Sequence, residues 1–233
     1  MDLKPLAWFF EDDVEQAQKA FFSRCRGPEA ERWLEAGRVN LMRTLFGITH
    51  RILVAHYKMV EGEVGFGDYC ASLRSPEIRA YLHERYPLLR SAMEHACAGW
   101  VEETVAVFTR FAQDREAIAS ALLSGPPPAE IRHIRFGAGD HHRGGRSVAI
   151  LEFADGRSLV YKPRDMSIDT HFARLLDWVN ARCGTDLYAP AHLERPGYGW
   201  ARFVAPAECE DEAAVRRFYA RIGNLLALLY ILE

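Results

Sequence analysis

A carboxylate and an imidazole lie two residues apart inside a glycine-rich stretch near the middle of this 233-residue chain. The stretch, residues 137–145, reads GAGDHHRGG, and its glycines are Gly137, Gly139, Gly144 and Gly145. Glycines let backbone N–H groups approach a phosphate without side-chain bulk. Asp140 and His142 point the same way on an extended backbone, and such a pair can move protons near neutral pH. The pattern therefore predicts a phosphate-binding loop that carries a catalytic Asp–His pair.

Two other interpretations of this cluster stay open. As a metal site, Asp140, His141 and His142 are incomplete, because adjacent side chains of an extended segment diverge and no third ligand is obvious nearby. As an ordinary loop, the stretch needs no function, since a glycine-rich loop is a weak signal by itself. Three arginines that are close in sequence could hold a phosphate, and they are Arg143, Arg146 and Arg164.

Lys162 is the second candidate for chemistry. It is the last residue of the segment 158–162, SLVYK, and it lies two residues after Val160. Asp155-Gly156 precede this run and predict a two-residue hairpin turn, because both central positions of a type I′ turn need φ > 0. Counting back from that turn places Ala149 opposite Lys162. The pattern thus predicts one face shared by Lys162, Val160, Ala149 and Leu151.

Protein kinases hold the ATP phosphates with a lysine in this position, on the third strand beneath an apolar roof. Lys162 is therefore predicted to bind phosphate, with Val160 in the apolar roof. The alternative is that Lys162 is an edge-strand charge that discourages aggregation. In kinases an acidic residue on the next helix pairs with the lysine, and here either Asp169 or Asp177 could do so.

The elements that must position these residues follow from periodicity. Apolar residues at three- and four-residue spacing predict about five helices before residue 124, and Gly125 with three prolines then forbids helix. Strands are predicted at 131–136, 148–153, 158–162, 191–194 and 200–204, with a helix from about 168 to Gly184 and a last helix from about 215 onward. This element order predicts an α+β protein with a helical subdomain (1–124), a kinase-like small lobe with an antiparallel sheet (129–206) and the first helix of a large lobe (207–233).

Composition limits the function classes. A net charge of −3 gives no reason to expect a nucleic-acid partner. The five cysteines form no CxxC pair, which argues against a zinc knuckle or a disulfide framework. The N-terminus lacks a signal-peptide pattern, and the longest apolar run, 222–232, is too short to span a bilayer. We expect a cytoplasmic protein without a membrane span.

Two sequence blocks resemble a known family. Residues 139–148, GDHHRGGRSV, followed by residues 159–164, LVYKPR, are similar to the GDxHxxGRSV…LVYKPR signature of the dehydratase domain in LanM-type (class II) lanthipeptide synthetases. Three further blocks look like family blocks, ERYPLL at 84–89, YGW at 198–200 and FYARIG at 218–223. The resemblance covers the chain from about residue 65 to its last residue.

The resemblance implies a lipid-kinase-like fold with helical additions. It implies an enzyme that uses ATP and Mg²⁺ to phosphorylate Ser and Thr of a precursor peptide, with leader and core, and then eliminates the phosphate to leave dehydroalanine or dehydrobutyrine. Lys162 would serve the kinase step, and Asp140 and His142 the elimination step. Zinc would belong only to a cyclase domain that this chain lacks.

The chain departs from the family pattern in two places. Ala201-Arg202-Phe203 follow the YGW block, where family members usually carry an acidic residue. The catalytic loop Asp-x-His-x-x-Asn and the metal-binding aspartate would follow residue 233, so we expect a fragment without dehydratase activity of its own. The alternatives are a stand-alone module that binds a leader peptide or nucleotide, and an unrelated small-molecule kinase.

Overall fold

The computed structural model describes residues 4–128, 130–138 and 147–233, and in these ranges it contains seven α-helices and five β-strands with antiparallel pairing. The helices are α1 (Glu11–Arg24), α2 (Pro28–Val60), α3 (Phe66–Ser72), α4 (Pro76–Arg85), α5 (Pro87–Ile118), α6 (Ser167–Cys183) and α7 (Glu212–Leu232). The strands are β1 (Ile131–Arg135), β2 (Ala149–Phe153), β3 (Ser158–Lys162), β4 (His192–Arg195) and β5 (Tyr198–Arg202). The predicted α+β class is confirmed.

Proline stands at the start of three helices of the first unit. Pro28, Pro76 and Pro87 are the first residues of α2, α4 and α5, where the missing N–H of proline costs nothing. The Ser75 side chain caps α4 by accepting a hydrogen bond from the Ile78 N–H at 3.4 Å. Five α-helices precede residue 124, as expected from the spacing of apolar residues.

The chain divides into two compact units. The first consists of Met1–Arg115 with Pro128–Gly156, and the second of Glu116–Pro127 with Arg157–Glu233. The subdomain boundaries predicted near residues 124 and 206 remain predictions.

In the first unit, the core lies between the two long helices and the strand pair β1–β2. Trp33 of α2 is 1% exposed and makes an edge-to-face contact with Phe108 of α5 at 5.4 Å between centroids. Phe111, one helical turn further on, stacks on Phe153 of β2 at 5.6 Å. These aromatic contacts link helix and strand directly, because each ring buries a large apolar area.

The turn after β2 differs from the predicted type I′ turn. The Gly156 N–H donates to the Phe153 carbonyl at 3.0 Å, and Gly156 has a φ of +85°. Asp155 does not have the positive φ that a type I′ turn requires. The central residues are therefore Ala154 and Asp155, as in a type I turn that is followed by a left-handed glycine.

This turn is one residue longer than the predicted one. Ala149 and Leu151 of β2 are 0% exposed, and Val160 and Lys162 occupy half-buried positions of β3. The prediction that these four residues share one face stays a prediction.

In the second unit, β5 lies between β3 and β4. Tyr161 pairs with Trp200 and Lys162 with Gly199 across β3 and β5, while Leu193 of β4 pairs with Trp200 from the other side. Trp200 is 0% exposed and its ring lies 5.0 Å from that of Tyr161. The buried tryptophan thus anchors the strand that faces Lys162.

Helix α7 is amphipathic but has no buried residue. The Asp211 carboxylate caps it by accepting from the Ala214 N–H at 2.6 Å, and Arg221 pairs with Asp186. Its large apolar side chains are exposed, among them Phe218, Tyr219, Leu226, Tyr230 and Ile231. Across the described ranges, no helix combines the length and the apolar character that crossing a bilayer needs.

A matched pair of buried threonines gives a stability test. Thr49 and Thr104 are both 0% exposed, but the Thr49 hydroxyl has no hydrogen-bond partner, whereas the Thr104 hydroxyl donates to the Trp100 carbonyl at 2.7 Å. Because an unpaired buried hydroxyl is costly, we expect Thr49→Val to raise the free energy of unfolding by about 1 kcal/mol. Thr104→Val should not raise it. Urea unfolding of both variants measures the difference, and equal effects would contradict the prediction.

Candidate functional site

Three charged side chains of the second unit converge where β3 meets the start of α6. Lys162 Nζ donates to Asp169 Oδ1 at 3.0 Å. Arg164 donates to both oxygens of the same carboxylate, at 2.7 Å to Oδ2 and 3.1 Å to Oδ1. The bidentate geometry of Arg164 fixes the plane of the carboxylate, and Lys162 then contacts it as a point charge. Asp169 is thus the acidic partner of Lys162, and Asp177 lies exposed on the same helix.

The electrostatics of this cluster favour an ionised Asp169. Burial raises the pKa of Asp169, but hydrogen bonds from Arg164 and Lys162 outweigh burial and hold that pKa below its usual range. The side chains of Lys162 and Arg164 stay 27% and 43% exposed. The charge of Arg164 also helps to lower the pKa of Asp165, so two carboxylates accompany the two cations. Both cations keep exposed surface that an anion can reach, and cationic donors suit a phosphate.

The position of Asp169 depends on how α6 begins. The Asp165 carboxylate accepts from the Ser167 N–H at 2.8 Å and from the Ser167 hydroxyl, and these hydrogen bonds lower the pKa of Asp165. Met166, 1% exposed, is the residue before the helix. It packs against Gly199 of β5, where a Cβ would overlap the Met166 sulfur and lie 2.9 Å from the Leu193 carbonyl. Glycine in the YGW block therefore makes room for the start of α6.

In the first unit, a second arrangement holds the two ends of the glycine-rich stretch together. The Gly137 N–H donates to the Ser147 hydroxyl at 2.9 Å, and the Ala138 N–H donates to the Val148 carbonyl at 3.1 Å. The Ser147 N–H donates to the Glu103 carboxylate of α5 at 2.8 Å. Gly137 has a φ of +71°, a conformation that favours glycine. The base of the stretch is therefore closed and attached to α5.

Only some of the predicted site residues fall within the described ranges. Asp140, His142, Gly139, Gly144, Gly145 and Arg146 lie outside the described residues. Gly137 lies at the loop base, Val160 pairs with Ala201 in the sheet, and Lys162 and Arg164 share Asp169. In the part of the chain that the structure describes, no group of three or more His, Cys, Asp or Glu side chains could hold a metal ion.

Sequence reasoning missed Glu103 and Ser147 as supports of the loop base, and left Asp169 undecided. Asp169 is seven residues after Lys162, in the first turn of the predicted helix, and is therefore nearer to the end of the strand than Asp177. This difference was the available signal for Asp169. Glu103 is 44 residues from Ser147, and its helix gave no local signal. Ser147 had one signal, since a small hydroxyl residue two positions after a glycine-rich stretch can close a turn.

Acid titration tests the Asp169 cluster. Because the pKa of Asp169 in the folded protein lies below its unfolded value of about 3.9, the ionised cluster stabilises the fold above that pH and the contribution is lost as pH falls. We expect Asp169→Asn to lower stability at pH 7 by on the order of 1 kcal/mol. The gap to wild type should shrink below pH 4.

Asp177→Asn is the matched control, since Asp177 is an exposed aspartate of the same helix. Its unfolding free energy at pH 7 should equal that of wild type. A stability gap for Asp169→Asn that does not change between pH 7 and pH 2.5 (roughly 1.4 units below the unfolded value) would contradict an ionised Asp169.

Amide exchange tests the attachment of the loop base. Glu103→Ala removes the acceptor of the Ser147 N–H, so we expect exchange at that amide to quicken by roughly tenfold or more, as the loss of a hydrogen bond to a charged group implies. Glu103→Gln should give an intermediate rate. Glu102→Ala is the control, because Glu102 pairs with Arg24 instead. An unchanged exchange rate of the Ser147 amide in Glu103→Ala would contradict the hydrogen bond between Ser147 and Glu103.

Comparison with known proteins places these residues in a family. The chain is similar to the lacticin 481/lactococcin biosynthesis protein LcnDR2 of Lactococcus lactis subsp. lactis, with 28% identity over 105 residues. That segment is 41% of this chain and 11% of the relative, so the chain spans a small part of that protein's length. Residues 86–233 match the model of a family described as a domain of unknown function, DUF4135. The match covers more than half of the chain and includes both arrangements described above, and the protein therefore belongs to the DUF4135 family.

Proposed function

We propose that this chain provides the phosphate-binding part of a lanthipeptide dehydratase that acts on Ser and Thr of a precursor peptide. The observation that carries the proposal is the convergence of Lys162 and Arg164 on Asp169. A lysine at the end of a third strand, paired with an acid on the following helix, has the arrangement that protein kinases use to position ATP phosphates. The kinase-like small lobe is part of the same proposal.

ATP would enter as the phosphate donor. Lys162 and Arg164 would contact its phosphate oxygens, because both are cations with exposed ends and Arg164 offers a planar fork of donors. Asp169 would orient Lys162 and keep it from moving away when no phosphate is bound. The described residues include no carboxylate cluster for Mg²⁺, so the ligands of that ion would lie elsewhere.

The substrate hydroxyl would attack the γ-phosphorus and lose its proton to solvent, while the bond to the β-phosphate oxygen breaks and ADP leaves. In the second step a base would remove the α-proton of the phosphorylated residue. The electrons of that C–H bond would form the Cα=Cβ double bond, and phosphate would leave with the Cβ–O electron pair. We propose Asp140 and His142 for this step, on the chemistry of a carboxylate beside an imidazole. Gly137 and Ser147, which flank these two residues in the sequence, form the closed loop base.

Two further observations support the proposal. The printed name of LcnDR2 describes a lacticin and lactococcin biosynthesis protein. The exposed apolar side chains of α7, such as Phe218 and Leu226, form a surface that an additional large lobe would cover. A soluble domain rarely exposes a stripe of this size without a partner surface. We therefore propose that catalysis needs such a lobe in addition to the residues described.

Nucleotide binding tests the proposal directly. Lys162→Met removes the cation and keeps the length of the side chain, so we expect it to weaken binding of a fluorescent ATP analogue at least tenfold in an equilibrium titration of the 233-residue chain. Lys58→Met is the matched control, because Lys58 is also a lysine paired with a carboxylate, that of Glu61. Its affinity should equal that of wild type.

Two results would contradict the proposed function. One is the absence of measurable nucleotide binding by the wild-type chain at millimolar analogue. The other is an equal loss of affinity in Lys162→Met and Lys58→Met, which would indicate a general charge effect. Thermal melting of each variant shows whether the fold is retained.

A further inference from the structure

A pocket of about 320 Å³ opens in the first unit beside the base of the glycine-rich stretch. Its floor is apolar and consists of Leu41, Trp100 and Phe136, which are 1%, 6% and 9% exposed. Its rim is polar and includes Asn40, His95 and Glu103. Gly137 and Ser147, the two residues that close the loop base, also line it. The pocket therefore includes both residues of the closed loop base.

Small residues keep this pocket open. Gly99 of α5 lines it, and a Cβ on Gly99 would meet no atom within 4 Å. Trp100 is held in place beneath it, because its indole N–H donates to the Gly37 carbonyl at 3.3 Å and its ring lies 3.5 Å from the position of a Cβ on Gly37. The indole donor is thus satisfied within the fold, and the aromatic face is left as apolar floor.

The charge of the lining argues against a phosphate. Among the described residues that line the pocket there is a glutamate, Glu103, and there is no lysine or arginine. A phosphate group would meet a carboxylate without a compensating cation, which is unfavourable. The volume is near the lower end of ligand pockets and matches one large side chain better than a nucleotide. A ligand with an apolar side chain and polar groups beside it would fit the apolar floor and the polar rim.

We infer that this pocket binds an apolar side chain of the peptide substrate, close in sequence to the Ser or Thr that is modified. This inference rests on the proposed function for its substrate class. The apolar side chain packs on Trp100 and Phe136, and the adjacent peptide backbone meets the polar rim at Asn40. The pocket then selects which residue may stand beside a modified Ser or Thr. Gly137 and Ser147, which line the pocket, flank Asp140 and His142 in the sequence.

An oriented peptide library tests the inference with the whole 233-residue chain. The library fixes a central serine and randomises the five positions on each side, and the immobilised chain retains the peptides that bind. We expect wild type to enrich aromatic or branched aliphatic residues at one position. Gly99→Phe should reduce that enrichment at least tenfold, because the added ring occupies the pocket. Gly99→Leu, a smaller addition, should reduce it by a smaller factor.

Gly47→Phe is the matched control. Gly47 is also an exposed glycine inside a long helix, and a Cβ there meets nothing within 4 Å. All three substitutions replace a helical glycine with a better helix former, so none is expected to unfold the protein. Enrichment by Gly47→Phe should equal that of wild type.

Two outcomes overturn the inference. They are the absence of positional enrichment by the wild-type chain, and enrichment by both Gly99 variants that equals that of wild type. Titration of the same proteins with the fluorescent ATP analogue separates this inference from the proposed function. Nucleotide binding with no peptide selection refutes the pocket alone, whereas selection that depends on Gly99 without nucleotide binding refutes the proposed function alone.

Discussion

The candidate site depends on one carboxylate that is shared by two cations. Lys162 and Arg164 are two residues apart at the end of β3, and Asp169 lies between their charged groups. Without that carboxylate, two like charges at the end of one strand would repel each other and turn toward solvent. Asp169 offsets the repulsion and holds both side chains at one place. The cations keep part of their surface exposed, so the cluster is stable and still able to receive an anion.

The position of the Asp169 carboxylate is set by packing and capping contacts of residues outside the proposed phosphate-binding cluster. The side chain of Met166 packs where Gly199 leaves space, and Asp165 binds the Ser167 N–H at the start of α6. These contacts decide where the helix begins and which residue of its first turn faces β3. A change at Gly199 would therefore move Asp169 without touching it. The loop base in the first unit is also held by a residue outside the loop, since the Glu103 carboxylate accepts from the Ser147 N–H.

Several helices and strands of the fold could be predicted from the amino-acid sequence. The glycine and prolines after residue 124 predicted the end of the helical segment, and the run 158–162 predicted a strand, and the structure contains both. These signals are local, because a helix start or a strand depends on neighbours a few residues away. The turn after β2 was mistaken because Asp-Gly fits two turn types, and only the observed φ of Gly156 and the hydrogen bond to Phe153 distinguish them.

The sequence by itself determined the α+β class, the element boundaries and the residue types that make phosphate chemistry reasonable, with Lys162 foremost. Tertiary structure alone decided that Asp169 and not Asp177 pairs with Lys162, and that Glu103 fastens a loop base 44 residues away. It also decided that an open pocket lies beside that base. The reason is that helix propensity and capping depend on residues a few positions apart. The contact between Glu103 of α5 and Ser147 of the loop base depends instead on how the helices and strands pack.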